Sequence, residues 1–121
     1  TELADNIFRS FSNIANRAPT GHAYMLSAFM FDQKKPKEII LVGKKGEPET
    51  AAILRSIQEH YTPHRVILFK DMSSPGTLEK AAPWIQSHLM KDNKPTIYVC
   101  ENFACQQPTT DIGTALGYMD K

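Results

Sequence analysis

The sequence lacks the features that mark several large classes of protein. It has only 2 cysteines among 121 residues, too few for the disulfide framework of a small secreted domain. Its formal net charge is +1, so no basic excess predicts binding to nucleic acid or to an anionic membrane. No apolar run approaches the ~20 residues of a membrane-spanning helix, and no signal-peptide pattern opens the chain. We therefore expect a cytoplasmic protein with neither nucleic acid nor membrane as a partner.

What the sequence does have is an ordinary globular composition, with 41% hydrophobic and 22% charged residues. A chain of this length fits one domain and can bury about two-thirds of its unfolded surface. We expect residues 1–121 to form a single α/β domain. Because the chain begins at Thr1 rather than Met, we also expect it to be a fragment of a larger protein.

Two helices are predicted at the N-terminus. The first, over residues 1–15, has apolar residues on one face: Leu3, Ile7, Phe11 and Ile14. The second, over about residues 21–32, has almost no polar face, and a helix of that kind is normally buried all round. Such burial is difficult in a small domain. Two explanations stay open: the helix lies between the first helix and a sheet, or it packs against another part of a larger chain.

From residue 37 onward the pattern alternates between strand and helix. Runs of β-branched and other apolar residues predict strands at 39–42 and 66–69 and a third strand that ends at Cys100. Helical stripes separate them, and the second stripe, over residues 78–89, is interrupted by Pro83. A short helix is expected at about 111–119. The result is a three-stranded, mainly parallel sheet (β-α-β-α-β) with flanking helices and strand order 2-1-3, or the simpler 1-2-3.

The third strand leads into a motif that contains both cysteines. It reads Tyr98-Val99-Cys100-Glu101-Asn102-x-Ala104-Cys105-x-x-Pro108-x-Thr110-Asp111. Together with weaker matches at 37–43 and 61–68, this motif resembles the closing region of the spermatogenesis-associated protein 20-like family. The resemblance implies the C-terminal α/β region of a protein with an N-terminal thioredoxin-like domain and a middle α/α barrel of six-hairpin, glycosidase-like type. It also implies a partner, the preceding barrel, contacted by the apolar N-terminal helices, and it supplies no settled activity.

The two cysteines allow several interpretations. They can form a redox pair or half of a metal site, one of them can be a reactive thiol, or both can be structural, including a local disulfide. The spacing between Cys100 and Cys105 is not that of thioredoxin-type motifs. Zinc would need two further ligands, and the 4 histidines show no paired spacing. We predict a structural role, with no metal site, no cofactor and no catalytic set, and we expect Phe103 to anchor the turn in the core.

Other polar residues fall near predicted strand ends, where open α/β sheets bind ligands. Gly43, Lys44 and Lys45 lie between a strand and a helix, so their N–H groups can hold an anion, although both common phosphate-loop patterns are absent. The remaining ligand-facing candidates are Asp71, Glu101, Asn102 and Asp111. For Asp111 the alternative is a helix cap.

Two functional classes remain open. The first is a non-catalytic accessory domain of a larger intracellular protein, docked through its N-terminal helices. The second is a thiol-based redox or small-molecule-binding module that uses the turn between Cys100 and Cys105. The all-round apolar helix and the lack of a catalytic set favour the first. In isolation, the chain should then expose an apolar patch on the order of several hundred Å² or bury it in a homo-oligomer.

Overall fold

The computed structural model describes residues 2–34, 36–74, 76–102 and 104–121. The chain forms two compact units, which we call the helical unit (Thr1–Lys35) and the sheet unit (Pro36–Lys121). Within the described ranges, no helix is both long enough and apolar enough to cross a bilayer.

The helical unit consists of two α-helices joined by a short 3₁₀ turn. These elements are α1 Glu2–Arg17, the turn Pro19–His22 and α2 Ala23–Gln33. The helices meet where Phe8 and Phe29 pack edge to face, with ring centroids 5.2 Å apart. Ala15 of α1 is buried, but no residue of α2 is, although that helix is apolar on nearly every side. The composition of α2 therefore predicts more burial than the other helix of its unit provides.

The sheet unit contains four strands and three α-helices within the described residues. The strands are β1 Lys37–Gly43, β2 Arg65–Asp71, β3 Thr96–Glu101 and β4 Ala104–Cys105. The helices are α3 Pro48–Glu59, α4 Thr77–Ala81 and α5 Ile112–Met119, with a 3₁₀ segment at Pro83–Ser87. The strand order is β2-β1-β3-β4. β1 and β2 are parallel, whereas β3 is antiparallel to β1 and β4 is antiparallel to β3.

The prediction of a three-stranded, mainly parallel sheet is wrong, although the order 2-1-3 is confirmed for the first three strands. The error arises at Pro83, which divides the predicted helix into a five-residue α4 and a 3₁₀ segment. A chain broken in this way does not return to the other end of the sheet. β3 instead begins at Thr96, opposite Val42, at the end where β2 also finishes. It must therefore run back antiparallel to β1.

Both faces of the sheet are covered, which explains why its strands show no polar alternation. On one face, α3 and α5 pack on residues from β1 and β3, forming a core of Ile39, Leu41, Ile53, Ile57, Ile97, Val99, Ala115 and Met119. On the other face, the buried residues are Ile40, Val42, Ile85 and Cys100. Because both faces of the sheet are apolar, the hydrophobic pattern of a strand does not show in which direction the strand runs. The second face carries the candidate site.

Candidate functional site

The two cysteines close a tight hairpin at the edge of the sheet. Cys100 of β3 lies directly opposite Cys105 of β4, and the two form a disulfide. Asn102 takes a φ of 51° in the turn, a left-handed conformation that Asn tolerates better than most residues. Cys100 is only 2% exposed, whereas Cys105 is exposed. The bridge therefore presents one sulfur to solvent and keeps the other in the core. The predicted anchoring role of Phe103 lies outside the described residues.

A histidine lies against the exposed sulfur of this bridge. The Nε2 atom of His88 is 3.7 Å from the Sγ atom of Cys105, and the ligand atoms of His88, Cys100 and Cys105 all lie within 4.8 Å of one another. The imidazole packs edge to face between two aromatic rings, with centroid distances of 5.8 Å to Trp84 and 4.6 Å to Tyr98. These rings restrict how the imidazole can turn.

The backbone that carries His88 is held by a buried lysine. Lys70, at 4% exposure, donates from Nζ to the carbonyl oxygens of Ile85 (3.1 Å), Gln86 (3.1 Å) and His88 (2.8 Å). These carbonyls lie at the end of the 3₁₀ segment, where the last backbone acceptors run out of helical donors. The carbonyl oxygen of Ile85 also accepts the N–H of His88 at 3.1 Å. One ammonium group thus satisfies three acceptors and fixes the segment against the end of β2.

A tyrosine holds the residue that follows. The hydroxyl of Tyr98 donates to the carbonyl oxygen of Leu89 at 2.7 Å, and the N–H of Leu89 donates back to that hydroxyl at 3.1 Å. His88 is therefore fixed on both sides, by Lys70 from β2 and by Tyr98 from β3. Catalytic and metal-binding side chains need this kind of support, because a loosely held group loses its alignment.

The surroundings of His88 favour its neutral form. Partial burial, followed by the positive charge of Lys70, lowers the pKa of His88 below its usual 6.5, while hydrogen bonding to the backbone of Trp84 and Ile85 acts in the opposite direction. A neutral imidazole keeps one ring nitrogen with a lone pair. Beside the bridge, His88 can therefore accept a proton from a thiol or bind a metal ion.

A small cleft opens in front of these groups. Its volume is about 220 Å³, and its lining residues are Glu38, Trp84, Ser87, His88, Cys100 and Cys105. Small-molecule pockets usually range from about 300 to 1,000 Å³, so this cleft is too small for a large cofactor. It can accommodate a metal ion with water, or a thiol side chain that approaches the exposed sulfur.

The predicted anion loop is already occupied by a side chain of the protein. Asp71 accepts hydrogen bonds from the N–H of Lys45 (3.0 Å), the N–H of Ser73 (3.0 Å) and the hydroxyl of Ser73 (2.5 Å). The Ser73 hydroxyl and then the two N–H groups lower the pKa of Asp71 below 3.8. Lys44 lies 3.7 Å from Glu47 in an ion pair. The N–H of Lys45 and the ammonium group of Lys44 thus already have acidic partners within the protein.

Gly43 has a steric role at the end of β1. A Cβ atom at this position would lie 2.8 Å from the Oγ1 atom of Thr50 and 2.9 Å from its Cγ2 atom. Such contacts are too short for any side chain, so the close approach of α3 to the strand requires glycine. The residue therefore has a packing explanation that is independent of any ligand.

The remaining predicted residues lie apart from the cleft. Asp111 caps α5, because its Oδ2 atom accepts the N–H of Thr114 at 2.6 Å, and this bond lowers the pKa of Asp111 below 3.8. Glu101 lines a different depression of about 120 Å³ beside Lys37 and Tyr118. Asn102 occupies the hairpin turn. The fold does not bring these residues together with Asp71 or with the lysines.

Sequence reasoning missed His88, Trp84, Lys70 and Glu38 as neighbours of the cysteines. His88 belonged to no ligand spacing, and its approach to Cys105 depends on the bend after Pro83. Lys70 did offer a signal, since it directly follows the apolar run 66–69 and is buried there. A buried lysine needs several acceptors, which predicts a cluster of free carbonyls nearby.

Comparison with known proteins supplies one relationship. No protein-family model matches the chain, and no solved structure matches it significantly. Over 105 residues the chain is 28% identical to spermatogenesis-associated protein 20 of Homo sapiens, and 27% identical to the proteins of that name in Rattus norvegicus and Mus musculus. The chain is similar to part of spermatogenesis-associated protein 20. The resemblance predicted from the cysteine motif is thereby confirmed.

The match covers most of this chain but only a small part of the relatives. It covers 87% of this chain but only 13% of the human spermatogenesis-associated protein 20. It is consistent with a C-terminal region of that family, and it indicates that the chain corresponds to one domain of a larger protein. The thioredoxin-like and barrel domains implied by the resemblance stay predictions.

Proposed function

We propose that this chain is a non-catalytic accessory domain of a larger protein, and that its helical unit packs against another part of the same polypeptide. The observation that carries the proposal is the apolar surface left open on α1 and α2. Its exposed members are Leu3 (72%), Ile7 (47%), Phe11 (46%), Ile14 (52%), Tyr24 (95%), Phe29 (41%) and Met30 (52%).

The arrangement of these residues fits a helical partner. Leu3, Ile7, Phe11 and Ile14 follow one another at intervals of three or four, so they form a stripe along one face of α1. A stripe of this kind packs against a second helix through side chains set into grooves. The human relative is several times longer than the matched region, which supports a partner within the same polypeptide. The α/α barrel implied by the resemblance would supply the helices.

The proposal is tested with the chain alone and with the region that precedes it in its own reading frame. We expect the isolated chain to bind a dye specific for exposed apolar surface or to self-associate. We also expect the separately produced preceding region to bind it. The double variant Ile7→Lys/Phe11→Lys should weaken that binding at least about tenfold, because two charges would be buried in the interface. The matched control Asn6→Lys/Asn13→Lys changes the polar side of α1 and should bind normally.

Two results would contradict the docking role. One is a monodisperse monomer that binds no dye and whose experimental structure buries Tyr24, Met25, Phe29 and Phe31 within one chain. The other is binding of the preceding region that the apolar-face variant and the polar-face control affect equally. Circular dichroism would establish that each variant keeps its helical content.

A second function, thiol–disulfide exchange, is favoured by the contact between His88 and the exposed sulfur of Cys105. In this step a substrate thiolate attacks Cys105 Sγ and forms a mixed disulfide. The bond between the two cysteines breaks, and Cys100 leaves as a thiolate that takes up a proton. When the reduced hairpin instead meets a substrate disulfide, His88 accepts the proton of the Cys105 thiol, and the Cys105 thiolate attacks one substrate sulfur. The substrate sulfur–sulfur bond breaks, and the other substrate sulfur leaves as a thiolate.

This second function has its own measurements. Alkylation rates of the reduced chain across pH would show a thiolate below about pH 7, and a disulfide-reductase assay would show turnover. Replacing either cysteine by Ser should abolish turnover, and His88→Gln should slow it, whereas His22→Gln in the helical unit should not. If the thiols alkylate like an unstructured peptide and turnover is absent, the bridge is structural only.

A further inference from the structure

We propose that the reduced hairpin binds a zinc ion through Cys100 Sγ, Cys105 Sγ and His88 Nε2, with the fourth coordination position open to the cleft. The three ligand atoms already lie within 4.8 Å of one another. Two thiolates and one imidazole are a donor set that zinc uses in sites with an open position. This inference stands apart from the docking role of the helical unit, and it concerns the reduced protein only.

The distances fit tetrahedral zinc. With zinc–sulfur bonds of about 2.3 Å and zinc–nitrogen bonds of about 2.0–2.1 Å, a sulfur and a nitrogen bound to one ion lie about 3.6 Å apart. The observed separation between Cys105 Sγ and His88 Nε2 is 3.7 Å. The same geometry places the two sulfurs about 3.8 Å apart. They are bonded in the structure, so reduction must come first, after which side-chain rotation can separate them.

The support around His88 resembles what metal ligands need. Its Nδ1 atom lies 3.4 Å from the hydroxyl oxygen of Ser87, which leaves Nε2 facing the sulfurs. Metal-bound histidines usually hold the second ring nitrogen in this way, and such contacts fix the orientation of the ring. Lys70 and Tyr98 fix the backbone on either side of His88. Little rearrangement of this ligand is needed for binding.

Glu38 is the candidate for the fourth position. This residue lies opposite Cys100 in the register of β1 and β3, and it lines the same cleft. Its carboxylate can bind the ion directly or hold a bound water. Two thiolates balance the charge of the zinc ion. The nearby ammonium of Lys70 is directed to three carbonyl oxygens.

Reduction of the disulfide requires two electrons and two protons, which an added phosphine and water supply. The phosphine supplies two electrons and becomes a phosphine oxide by taking the oxygen of water. The sulfur–sulfur bond breaks, and the two protons of that water give two thiols. Zinc binding then releases both thiol protons to the buffer. The oxidised hairpin has no thiolates to offer, so the site exists in one redox state.

The experiment titrates the intact chain with zinc and with cobalt(II) as a spectroscopic substitute, before and after reduction. We expect one ion per reduced chain, a sulfur-to-cobalt charge-transfer band, and no binding to the oxidised chain. His88→Gln should weaken zinc binding at least about tenfold, given what losing even a supporting group costs. Cys105→Ser should remove most of the charge-transfer band, and the control His22→Gln should bind as the unmodified chain does. Glu38→Gln should also weaken binding, because it removes either a direct ligand or the group that holds the bound water.

X-ray absorption of the zinc-loaded, unmodified chain keeps the test independent of variant folding. We expect two sulfurs and one imidazole nitrogen around the ion. The proposal is overturned if the reduced chain binds no zinc, if the oxidised chain binds it equally well, or if the absorption spectrum shows no sulfur ligand. Binding that His88→Gln leaves unchanged in a folded variant would also overturn it. None of these outcomes bears on the docking of the helical unit.

Discussion

The two units of this chain bury their apolar segments to very different extents. In β1, the residues Ile39, Ile40, Leu41 and Val42 are each 0% exposed, because helices cover both faces of the sheet. In α2, which is apolar on nearly every side, no residue is buried. The difference teaches that an apolar run predicts burial but does not say what buries it. The sheet unit supplies its own cover, whereas the helical unit leaves part of its apolar surface available to a partner.

The largest effect should come from truncating matched isoleucines in the two units. Ile57 of α3 is 0% exposed and Ile7 of α1 is 47% exposed. We expect Ile57→Ala to lower the free energy of unfolding by about 2–5 kcal/mol, because it leaves a cavity. Ile7→Ala should cost less than about 1 kcal/mol, because water already reaches this side chain. Urea unfolding of both variants measures the contrast, and equal losses would show that α1 has a core of its own.

The next effect concerns the lysine that holds the site. Lys70→Met removes the ammonium group that donates to the carbonyl oxygens of Ile85, Gln86 and His88. The carbonyl oxygen of Ile85 keeps the N–H of His88 as a donor. We expect a loss of roughly 1.5–3 kcal/mol in unfolding free energy, the usual worth of a hydrogen bond to a charged group. The exposed Lys45 provides a control, since its side chain is not the donor to Asp71, and Lys45→Met should change stability little. If the two methionine variants unfold at the same urea concentration, Lys70 is not what holds the 3₁₀ segment.

A smaller effect is expected from removing the disulfide. Replacing Cys100 and Cys105 together by Ala should cost about 1–3 kcal/mol, from a lost short-loop bridge or from small cavities. The loss of stability should be confined to the sheet unit, because the disulfide joins the two strands of a hairpin at the edge of the sheet. Hydrogen exchange would show faster opening of β3 and α5 and unchanged exchange in α1. Equal acceleration in both units would mean that their stabilities are linked.

These contrasts also show how far the sequence could predict the molecule. The first three strands and the apolar character of α2 followed from local patterns, and the structure agrees with 2-1-3, one of the two strand orders left open. The direction of β3 did not, because an apolar strand covered on both faces reads the same in either direction. The cysteine turn was predicted as a candidate site, but His88 was not, because the bend after Pro83 that brings it to Cys105 depends on tertiary structure. Asp71 was identified correctly as a polar residue at a strand end, yet its partner is the neighbouring loop.

The smallest predicted effect is a dependence of stability on pH that belongs to the sheet unit. Burial and Lys70 lower the pKa of His88 below 6.5 in the folded chain. As the pH falls through 6.5, the unfolded chain therefore takes up a proton before the folded chain does, and stability falls. The loss grows until the pH reaches the lowered pKa of the folded state and is constant below it. The side chain is only partly buried, so solvent screening keeps the effect modest. Urea midpoints at about pH 7.5 and about pH 5.5, compared between the unmodified chain and His88→Gln, isolate this contribution.

The variant His88→Gln should lose less stability on acidification than the unmodified chain, and His22→Gln should behave like the unmodified chain. An equal acid loss in His88→Gln would mean that the imidazole is not desolvated at the bridge, and the assignment of a neutral His88 there would have to be withdrawn.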